Sequence, residues 1–497
     1  MNYFDLYPSY SDHSIAAAWD SQVQEADETP WFAEILRSRG TELFPHFAAC
    51  YAELRALPRA TRRALQREAA RSIDFMRIFS AWHPLGGGQA LQHKLAGSLA
   101  GAALLLALWQ GVSPAATINV TTKDPSIRPD GKCSLIEAIV NANADAAFFA
   151  DCPAGSGPDT IVLPVKGNLG VRNQYADAYG PTGLPLITSQ ITIQGNGAKI
   201  HRQGGPAFRL ITVSQTGDLT LQDVEIGNGR SSNGAGILNK GTLTVQNSTI
   251  SGNSSQIGGG VANYGSLSIE NSTITKNSAG SGGGVSNGGF GSLYSPSSVG
   301  SLRPGAACFN YYWYFYGSYV YCRYAYSGAL TISNSTISKN SGGSGGGVLN
   351  IAGTIAINGS TISGNNGFNN AGDGAGVFNS GGLLDVYGKY FPAADMTIAT
   401  STISKNSGGQ GGGIFNEGII TIENSTISAN KASDDGGGLF NSSNTNAPAG
   451  TMNLIDNTIT ENRAKDSGGG LFNEGSLNLT NSTISGNKAR FGADVFP

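Results

Sequence analysis

A block of about 24 residues recurs along the second half of the chain, and it limits the fold more than any other feature. Its template is Gly-Gly-Gly, an aliphatic residue, any residue, Asn, any residue, Gly, then alternating aliphatic residues, then Asn-Ser-Thr-Ile. Some copies follow each other at 24 or 25 residues, and the intervals of 32, 41 and 63 residues contain insertions. The isoleucine of the template recurs at Ile250, Ile274, Ile337, Ile362, Ile403, Ile427, Ile459 and Ile484.

A repeat of this length indicates a solenoid, and the two-residue alternation inside it, as at Leu267 and Ile269, indicates strands. No part of the repeat offers twelve helix-forming residues. About 24 residues suit one coil of three short strands, with successive coils ~4.8 Å apart. Parallel strand connections prefer the right hand. The sequence therefore predicts an all-β chain, a right-handed parallel β-helix.

In a stack of coils, each repeated position has a structural role. The aliphatic residues Val261, Leu267, Ile269 and Ile274 are predicted to form internal columns with their equivalents. The glycine triplets allow turns that other residues avoid and a close approach between coils. The repeated β-branched threonines, such as Thr273, suit strands.

The asparagine before each turn is expected to tolerate left-handed backbone geometry, as at Asn263, Asn416 and Asn473. Stacked asparagine amides can also bond along the axis of the solenoid as a ladder. The predicted ladder consists of Asn239, Asn263, Asn287, Asn350, Asn379, Asn416, Asn441 and Asn473.

A hydrophobic run at 95–112, followed by Ser113-Pro114-Ala115, predicts export. Segment 95–115 is interpreted as a signal peptide cleaved after Ala115, or as an uncleaved membrane anchor. Residues 1–94 are predicted to be a helical extension, either dispensable or a cytoplasmic regulatory segment. With a formal net charge of −3 and only 13% charged residues, the chain has no broad basic face for nucleic acid.

Residues 116–190 are predicted to cap the solenoid, and the repeats to occupy 191–497. The cap is expected to contain a short amphipathic helix with Leu135, Ile136, Ile139 and Val140 on its apolar face. Cys133 and Cys152 are expected to close a disulfide loop in an oxidising compartment.

The segments Cys133-Ser-Leu-Ile-Glu-Ala138, Asn141-Ala-Asn143 and Asp159-Thr-Ile-Val-Leu-Pro164 resemble the CSLREA domain of bacterial exported β-helix proteins. The glycine-asparagine repeats resemble those of polymorphic-outer-membrane-protein-like groups. Ile136 departs from the arginine of the family pattern. The resemblance covers about 116–497 and implies a secreted or surface-exposed protein, but it carries over no catalytic residues.

Acidic residues near the turns are the candidates for chemistry of the pectate-lyase-like kind, which needs clustered carboxylates. They are Asp373, Glu417, Asp434, Asp435, Asp466 and Glu474. Glu417 and Glu474 are expected about 10 Å apart, with a coil between them. All five histidines lie at or before His201, so the repeats contain no histidine for a metal site, and no catalytic residue, metal site or cofactor is predicted.

An insertion at 288–328 carries the densest aromatic segment of the chain, and a second insertion lies near 381–398 with Tyr387, Tyr390 and Phe391. Gly317-Ser318 is predicted as a hairpin turn, which would keep Cys308 and Cys322 from facing each other, so the hairpin or a disulfide between them needs a bulge. The insertion is either a binding surface or a flap packed on itself. The candidate ligand-binding aromatics are Tyr311, Tyr312, Trp313, Tyr314, Tyr316, Tyr319, Tyr321 and Tyr324.

Three functions are compatible with these features. The first is a monomeric, non-enzymatic protein, secreted or on the cell surface, whose inserted loops bind a polysaccharide or a surface protein. The second is a polysaccharide lyase or glycoside hydrolase of the pectate-lyase-like type. The third, a passenger of a membrane barrel, is disfavoured because the repeats continue almost to Pro497.

Overall fold

The computed structural model describes residues 115–172, 175–296, 307–313, 317–326, 328–368, 372–381, 394–443 and 449–497. The predicted extension 1–94 and residues 95–114 of the predicted signal or anchor segment 95–115 lie outside these residues. In the described part of the chain, long parallel sheets stack coil upon coil, so the prediction of a parallel β-helix is confirmed. No helix among the described residues is both long and apolar enough to cross a membrane.

Each regular coil crosses three sheets, and the first sheet takes two short segments of the coil joined at a bend. Stacked segments keep a strict register, for example Leu243 beside Leu267 and then Leu330. The first sheet contains Thr117–Asn119, Asp159–Val162, Asn168–Val171, Gln190–Arg202, Asp218–Gly227, Thr242–Gln246, Thr249–Ser251, Ser266–Glu270, Thr273–Thr275, Gly328–Ser333, Thr336–Ser338, Gly353–Asn358, Thr361–Ser363, Asp395–Ala399, Thr402–Ser404, Ile419–Glu423, Thr426–Ser428, Thr451–Ile455, Thr458–Thr460, Ser476–Thr480 and Thr483–Ser485.

The other two parallel sheets are narrower because each coil gives them only a few residues. The second sheet contains Ser254–Ile257, Ser278–Ser281, Ser341–Ser344, Asn366–Gly367, Ser407–Gly408 and Lys431–Ala432. The third contains Ile211–Val213, Ile237–Asn239, Val261–Asn263, Val285–Asn287, Val348–Asn350, Val377–Asn379, Ile414–Asn416, Leu439–Asn441, Leu471–Asn473 and Val495–Phe496.

The interior is filled by the predicted aliphatic columns, and Val261, Leu267, Ile269 and Ile274 are at most 2% exposed. Burying one such side chain stabilises the fold by roughly 1.5–3 kcal/mol. A second apolar column lies on the opposite face of the third sheet, where phenyl rings stack at centroid distances of 4.8–5.3 Å. It consists of Phe378, Phe415, Phe440, Phe472 and Phe496.

A buried asparagine ladder also follows the second segment of the first sheet, and sequence analysis missed it. In each coil the asparagine three residues after the template isoleucine donates its Nδ2 to the Oδ1 of the next coil at 2.9–3.1 Å. Between the two segments, the middle serine of Asn-Ser-Thr accepts a backbone N–H from the coil before it, as Ser272 does from Ser248. The members of the ladder are Asn253, Asn277, Asn340, Asn365, Asn406, Asn430, Asn462 and Asn487.

The N-terminal end is covered by one helix, α1 (Leu135–Ala144), which contacts the first strands of the first sheet. It begins in a capping box, where Ser134 accepts from the Glu137 N–H and Glu137 accepts from the Ser134 N–H. The predicted helix is confirmed with its apolar face buried, and the cap buries the opposite face as well, since residues 135–142 are all buried. The cap loop covers that face, because Asn141 donates to the carbonyls of Phe149, Cys152 and Pro153.

The cap is continuous with the solenoid. Cys133 and Cys152 are disulfide-bonded beside the start of α1. Thr117–Asn119 already pairs in parallel with Asp159–Val162, which pairs with Gln190–Arg202. The stacked sheet therefore starts inside the segment 116–190.

Candidate functional site

Three insertions leave the coils at one corner, between the third sheet and the next segment of the first sheet. They follow Asn287, Asn379 and Asn441, which stand in one column of the third sheet. We call this site the loop corner and define it by the residues that directly follow the ladder asparagines. They are Lys240, Tyr264, Gly288, Ile351, Ser380, Glu417, Ser442 and Glu474.

The two ends of each insertion meet at the loop corner. The Ala394 N–H donates to the Ser380 carbonyl at 3.1 Å, and the Gly450 N–H donates to the Ser442 carbonyl at 2.9 Å. A Cβ placed on Gly328 would lie 2.9 Å from the Gly288 nitrogen. The insertions therefore occupy 289–327, 381–393 and 443–449. The predicted end of the second at 398 is wrong, because Asp395–Ala399 is a strand of the first sheet.

The first asparagine ladder builds the inner wall of this corner. Each Nδ2 donates to the Oδ1 of the next coil at 2.7–3.0 Å, from Asn239 through to Asn473. The same amides hold the turn, as when Asn263 donates to the Gly265 carbonyl at 3.1 Å. Satisfied polar groups of this kind fix the register of a buried turn.

The expectation of left-handed backbone at Asn263, Asn416 and Asn473 is wrong, because these residues end strands of the third sheet. The left-handed conformation belongs instead to the first asparagine of Asn-Ser-Thr, at the bend between the two segments of the first sheet. There the side chain needs no buried partner, so asparagine is used for its tolerance of positive φ. The residues concerned are Asn247, Asn271, Asn334, Asn424 and Asn481.

The first insertion forms a separate antiparallel sheet of Gly289–Pro296, Ala307–Trp313 and Gly317–Tyr326, with the last strand in the middle. Among the described residues its strands pair only with one another. The predicted turn at Gly317-Ser318 is wrong, because Gly317 pairs with Trp313. In this register Cys308 stands directly opposite Cys322, and no bulge is needed.

The candidate aromatics of the insertion are divided between two of its strands. Tyr311, Tyr312 and Trp313 lie on one strand, and Tyr319, Tyr321 and Tyr324 lie on its neighbour. Tyr311 pairs with Tyr319 across the sheet. Tyr314 and Tyr316 lie outside the described residues, as do Tyr387, Tyr390 and Phe391 of the second insertion.

The acidic candidates occupy two kinds of position, the glutamates at the loop corner and the aspartates before the glycine triplets. Glu417 accepts the Gly381 N–H at 3.3 Å, and Glu474 accepts the Ser443 N–H and hydroxyl at 3.4 and 3.1 Å. Each carboxylate thus holds the first residue of an insertion that leaves the coil before it. Burial raises the pKa of Glu417, and the neighbouring Asp373 charge raises it further.

The aspartates lie before the glycine triplets, and they bond to the backbone of adjacent coils. Asp373 accepts the Gln410 N–H at 2.9 Å, and Asp435 accepts the Ser467 N–H at 2.8 Å. Asp434 is held through its carbonyl, which accepts from the N–H groups of Lys465 and Asp466. In the described part of the chain, no group of three or more His, Cys, Asp or Glu side chains is arranged to hold a metal ion.

Aromatic and cationic side chains meet at the loop corner beside the first insertion. The Lys240 Nζ lies 4.8 Å from the ring centroid of Tyr179 and 5.4 Å from that of Tyr264. Tyr264 borders the insertion, because a Cβ on Gly289 would lie 2.6 Å from its Cε1. The buried guanidinium of Arg209 donates to the Tyr179 carbonyl at 2.7 Å and positions that residue. Sequence analysis missed this cluster because its members lie in different coils.

A charged cluster lies on the outer face of the first sheet in the early, irregular coils. Lys199 Nζ is 2.7 Å from Glu225 Oε1, which also accepts the Ser251 hydroxyl at 3.0 Å. His201 is two residues along the strand from Lys199, and the residues beside it are Gly170 and Gly227. Burial lowers the pKa of His201, and the Lys199 charge adds to this effect.

No family model, curated protein or solved structure matches this chain. The resemblance to CSLREA-domain proteins stays a prediction.

Proposed function

We propose that this chain is a non-catalytic binding protein that presents inserted loops from the loop corner to recognise a glycan. The observation that carries the proposal is the shared exit of the three insertions. A solenoid offers several turns per coil where extra residues could be inserted, and function concentrates in loops held by a rigid scaffold. Repeated insertion at one corner builds a single binding face.

The spacing of the insertions favours a polymeric ligand. The corner residues Gly288, Ser380 and Ser442 alternate along the column with Ile351, Glu417 and Glu474, where the connection has at most one extra residue. Neighbouring insertions are therefore two coils, or about 10 Å, apart along the axis. A polysaccharide that follows the axis could contact all three.

The chemistry of the corner suits a sugar. Tyrosine brings a large apolar surface with a polar hydroxyl at low entropy cost, and the first insertion is the most tyrosine-rich segment of the chain. Tyr264 and Lys240 extend this chemistry into the described coils. The carboxylates at the corner, Glu417 and Glu474, are engaged in holding insertions, which favours binding over catalysis.

Export forms part of the proposal. A hydrophobic segment at 95–112 and the Cys133–Cys152 disulfide both favour an oxidising compartment outside the cytoplasm. We therefore place the chain in the secreted or cell-surface class.

The test compares the full chain with a variant that lacks residues 289–327, on a glycan array. This deletion leaves Asn287-Gly288-Gly328-Ala329, which matches the uninterrupted connection Asn263-Tyr264-Gly265-Ser266. Deletion of 443–449, which leaves Asn441-Ser442-Gly450-Thr451, is a second variant that measures how much the shortest insertion contributes to binding. We expect a glycan bound by the full chain to be lost by the first variant. Unchanged binding by a folded first variant would contradict the proposal.

A polysaccharide lyase or hydrolase is the second candidate, and the cluster of Lys199, His201 and Glu225 favours it. A lowered pKa supplies a neutral imidazole near neutral pH, beside a carboxylate and an ammonium group. The test is to follow product release from the array glycans with the full chain and with His201→Gln. Cleavage abolished by this substitution would establish the enzyme, and uncleaved glycans would exclude it for those substrates.

A further inference from the structure

A cleft of about 460 Å³ opens at the N-terminal end of the solenoid, and none of its lining residues belongs to the loop corner. One wall is the cap loop 123–128, and the other is the strand Asn168–Val171 with the residue that follows it, Arg172. The buried side chains of Ile136 and Val171 form an apolar floor. A volume of this size is typical of sites for small molecules.

The charge of the cleft is strongly one-sided. Lys123, Arg128 and Arg172 line it, against the single carboxylate of Asp124. Asp124 pairs with Arg128 at 3.2 Å. In the described residues, neither Lys123 nor Arg172 has a carboxylate within ion-pair distance, so two positive charges remain unbalanced.

Neutral groups in the cleft fix the geometry of one of these charges. Gln203 Oε1 accepts a hydrogen bond from Arg172 Nε at 3.3 Å. The Gln203 side chain lies directly over Gly170, where a side chain of any size would collide with it. The absence of a side chain at Gly170 therefore lets Gln203 reach Arg172. Because this hydrogen bond uses Nε, it leaves the outer guanidinium nitrogens of Arg172 available to a ligand.

We propose that this cleft binds an acidic saccharide, with its carboxylate between Lys123 and Arg172 and its ring over the floor formed by Ile136 and Val171. A guanidinium fork matches a carboxylate in a bidentate manner. Asn168 and Gln203 supply amides for ring hydroxyls. The cleft is larger than an inorganic anion requires, which favours a sugar over free phosphate. This site shares no residue with the loop corner, so its test is independent of the proposed function.

The experiment is calorimetric titration of the full chain at low ionic strength with a glucuronate-containing tetrasaccharide. The same tetrasaccharide with its carboxyl groups reduced to alcohols, and inorganic phosphate, are titrated as comparisons. The variants are Lys123→Gln with Arg172→Gln, which removes both unbalanced charges, and Arg172→Lys, which keeps the charge but removes the fork. Lys465→Gln is the control, because it removes one exposed positive charge in a distant coil.

We expect the acidic tetrasaccharide to bind at least tenfold more tightly than its reduced form. The double variant should lose at least tenfold in affinity, Arg172→Lys should lie between it and the original chain, and Lys465→Gln should have no effect. Binding should also weaken as salt is added. Equal affinity for the reduced sugar, binding of phosphate alone, or binding unchanged in the double variant would each overturn the proposal, as would the absence of binding.

Discussion

The Glu417 carboxylate accepts the backbone N–H of Gly381 at 3.3 Å, although the two residues belong to different coils. Glu417 stands at the loop corner, and Gly381 is the first residue of the second insertion. A side chain of one coil therefore fixes the position at which the insertion of the preceding coil begins. Glu474 repeats the arrangement with Ser443.

The first prediction concerns the pH dependence of stability at Glu417. Burial raises its pKa from the ordinary value of 4.5, so the folded chain binds this proton more tightly than the unfolded chain. Stability should then fall as pH rises through the interval between 4.5 and the raised value. Glu417→Gln keeps an oxygen for Gly381 and should raise the Tm at pH 7.5 while changing it little at pH 4.

The control for this measurement is Glu461→Gln, which removes a carboxylate from an exposed turn. The contrary result is a substitution Glu417→Gln that lowers the Tm of the original chain, and lowers it more at pH 7.5 than at pH 4. That result would show that the buried charge stabilises the corner.

The second prediction concerns the buried asparagine ladder. Asn430 accepts the backbone and side-chain N–H groups of Asn406 at 3.0 Å and donates to Asn462 at 2.9 Å. Asn430→Ala leaves several buried groups without partners, each at a cost of roughly 1–3 kcal/mol. Asn424→Gly, at an exposed residue with a φ of 48°, should change stability by less than about 0.5 kcal/mol. Denaturant titration of both variants measures their free energies of unfolding. Equal losses of unfolding free energy in the two variants would refute a special role for the ladder.

The third prediction concerns the stacked phenyl rings. Phe440 is 4% exposed and lies between Phe415 and Phe472, with centroid distances of 4.9 and 4.8 Å. Phe440→Ala should cost about 3–5 kcal/mol, as for other buried aromatic residues. Phe491→Ala, at a residue 51% exposed, should be nearly neutral. Similar thermal stability of the two variants would mean that the stack does not contribute to the fold.

The fourth prediction concerns the cysteines of the first insertion. Because Cys308 and Cys322 are direct partners across antiparallel strands, we expect them to form a disulfide in chain recovered from an oxidising compartment. Peptide mapping without reduction should find the two linked. Free thiols at both positions in a sample whose Cys133 and Cys152 are linked would contradict this expectation.

The solenoid was predictable because every coil reuses the same positions. Alternation at Leu267 and Ile269 marked the interior, and the equal spacing of Asn263 and Asn287 indicated a column. The second ladder was equally visible, since an asparagine such as Asn277 recurs three residues after each template isoleucine. The structure buries these asparagines between coils, and Asn277 is 1% exposed.

The contacts between different coils and the cleft could not be predicted in the same way. They depend on which coils are neighbours, and the repeat does not show this where it is interrupted. Lys199 and Glu225 lie in early coils that lack the template, so the sequence did not show that they are neighbours on adjacent strands. Glu417 could be placed at the corner, but the position of Gly381 beside it depends on an insertion of arbitrary length. The cleft at Arg172 is built partly from the cap loop, which has no repeat at all.

The measurement that tests the account most directly is the affinity of the full chain and of the variant lacking 289–327 for the best-bound glycan of the array. Circular dichroism and melting of the two proteins establish that the coils remain intact. The account predicts that the variant keeps the fold and loses at least tenfold in affinity. An intact variant with unchanged affinity would contradict the claim that the loop corner is the binding site.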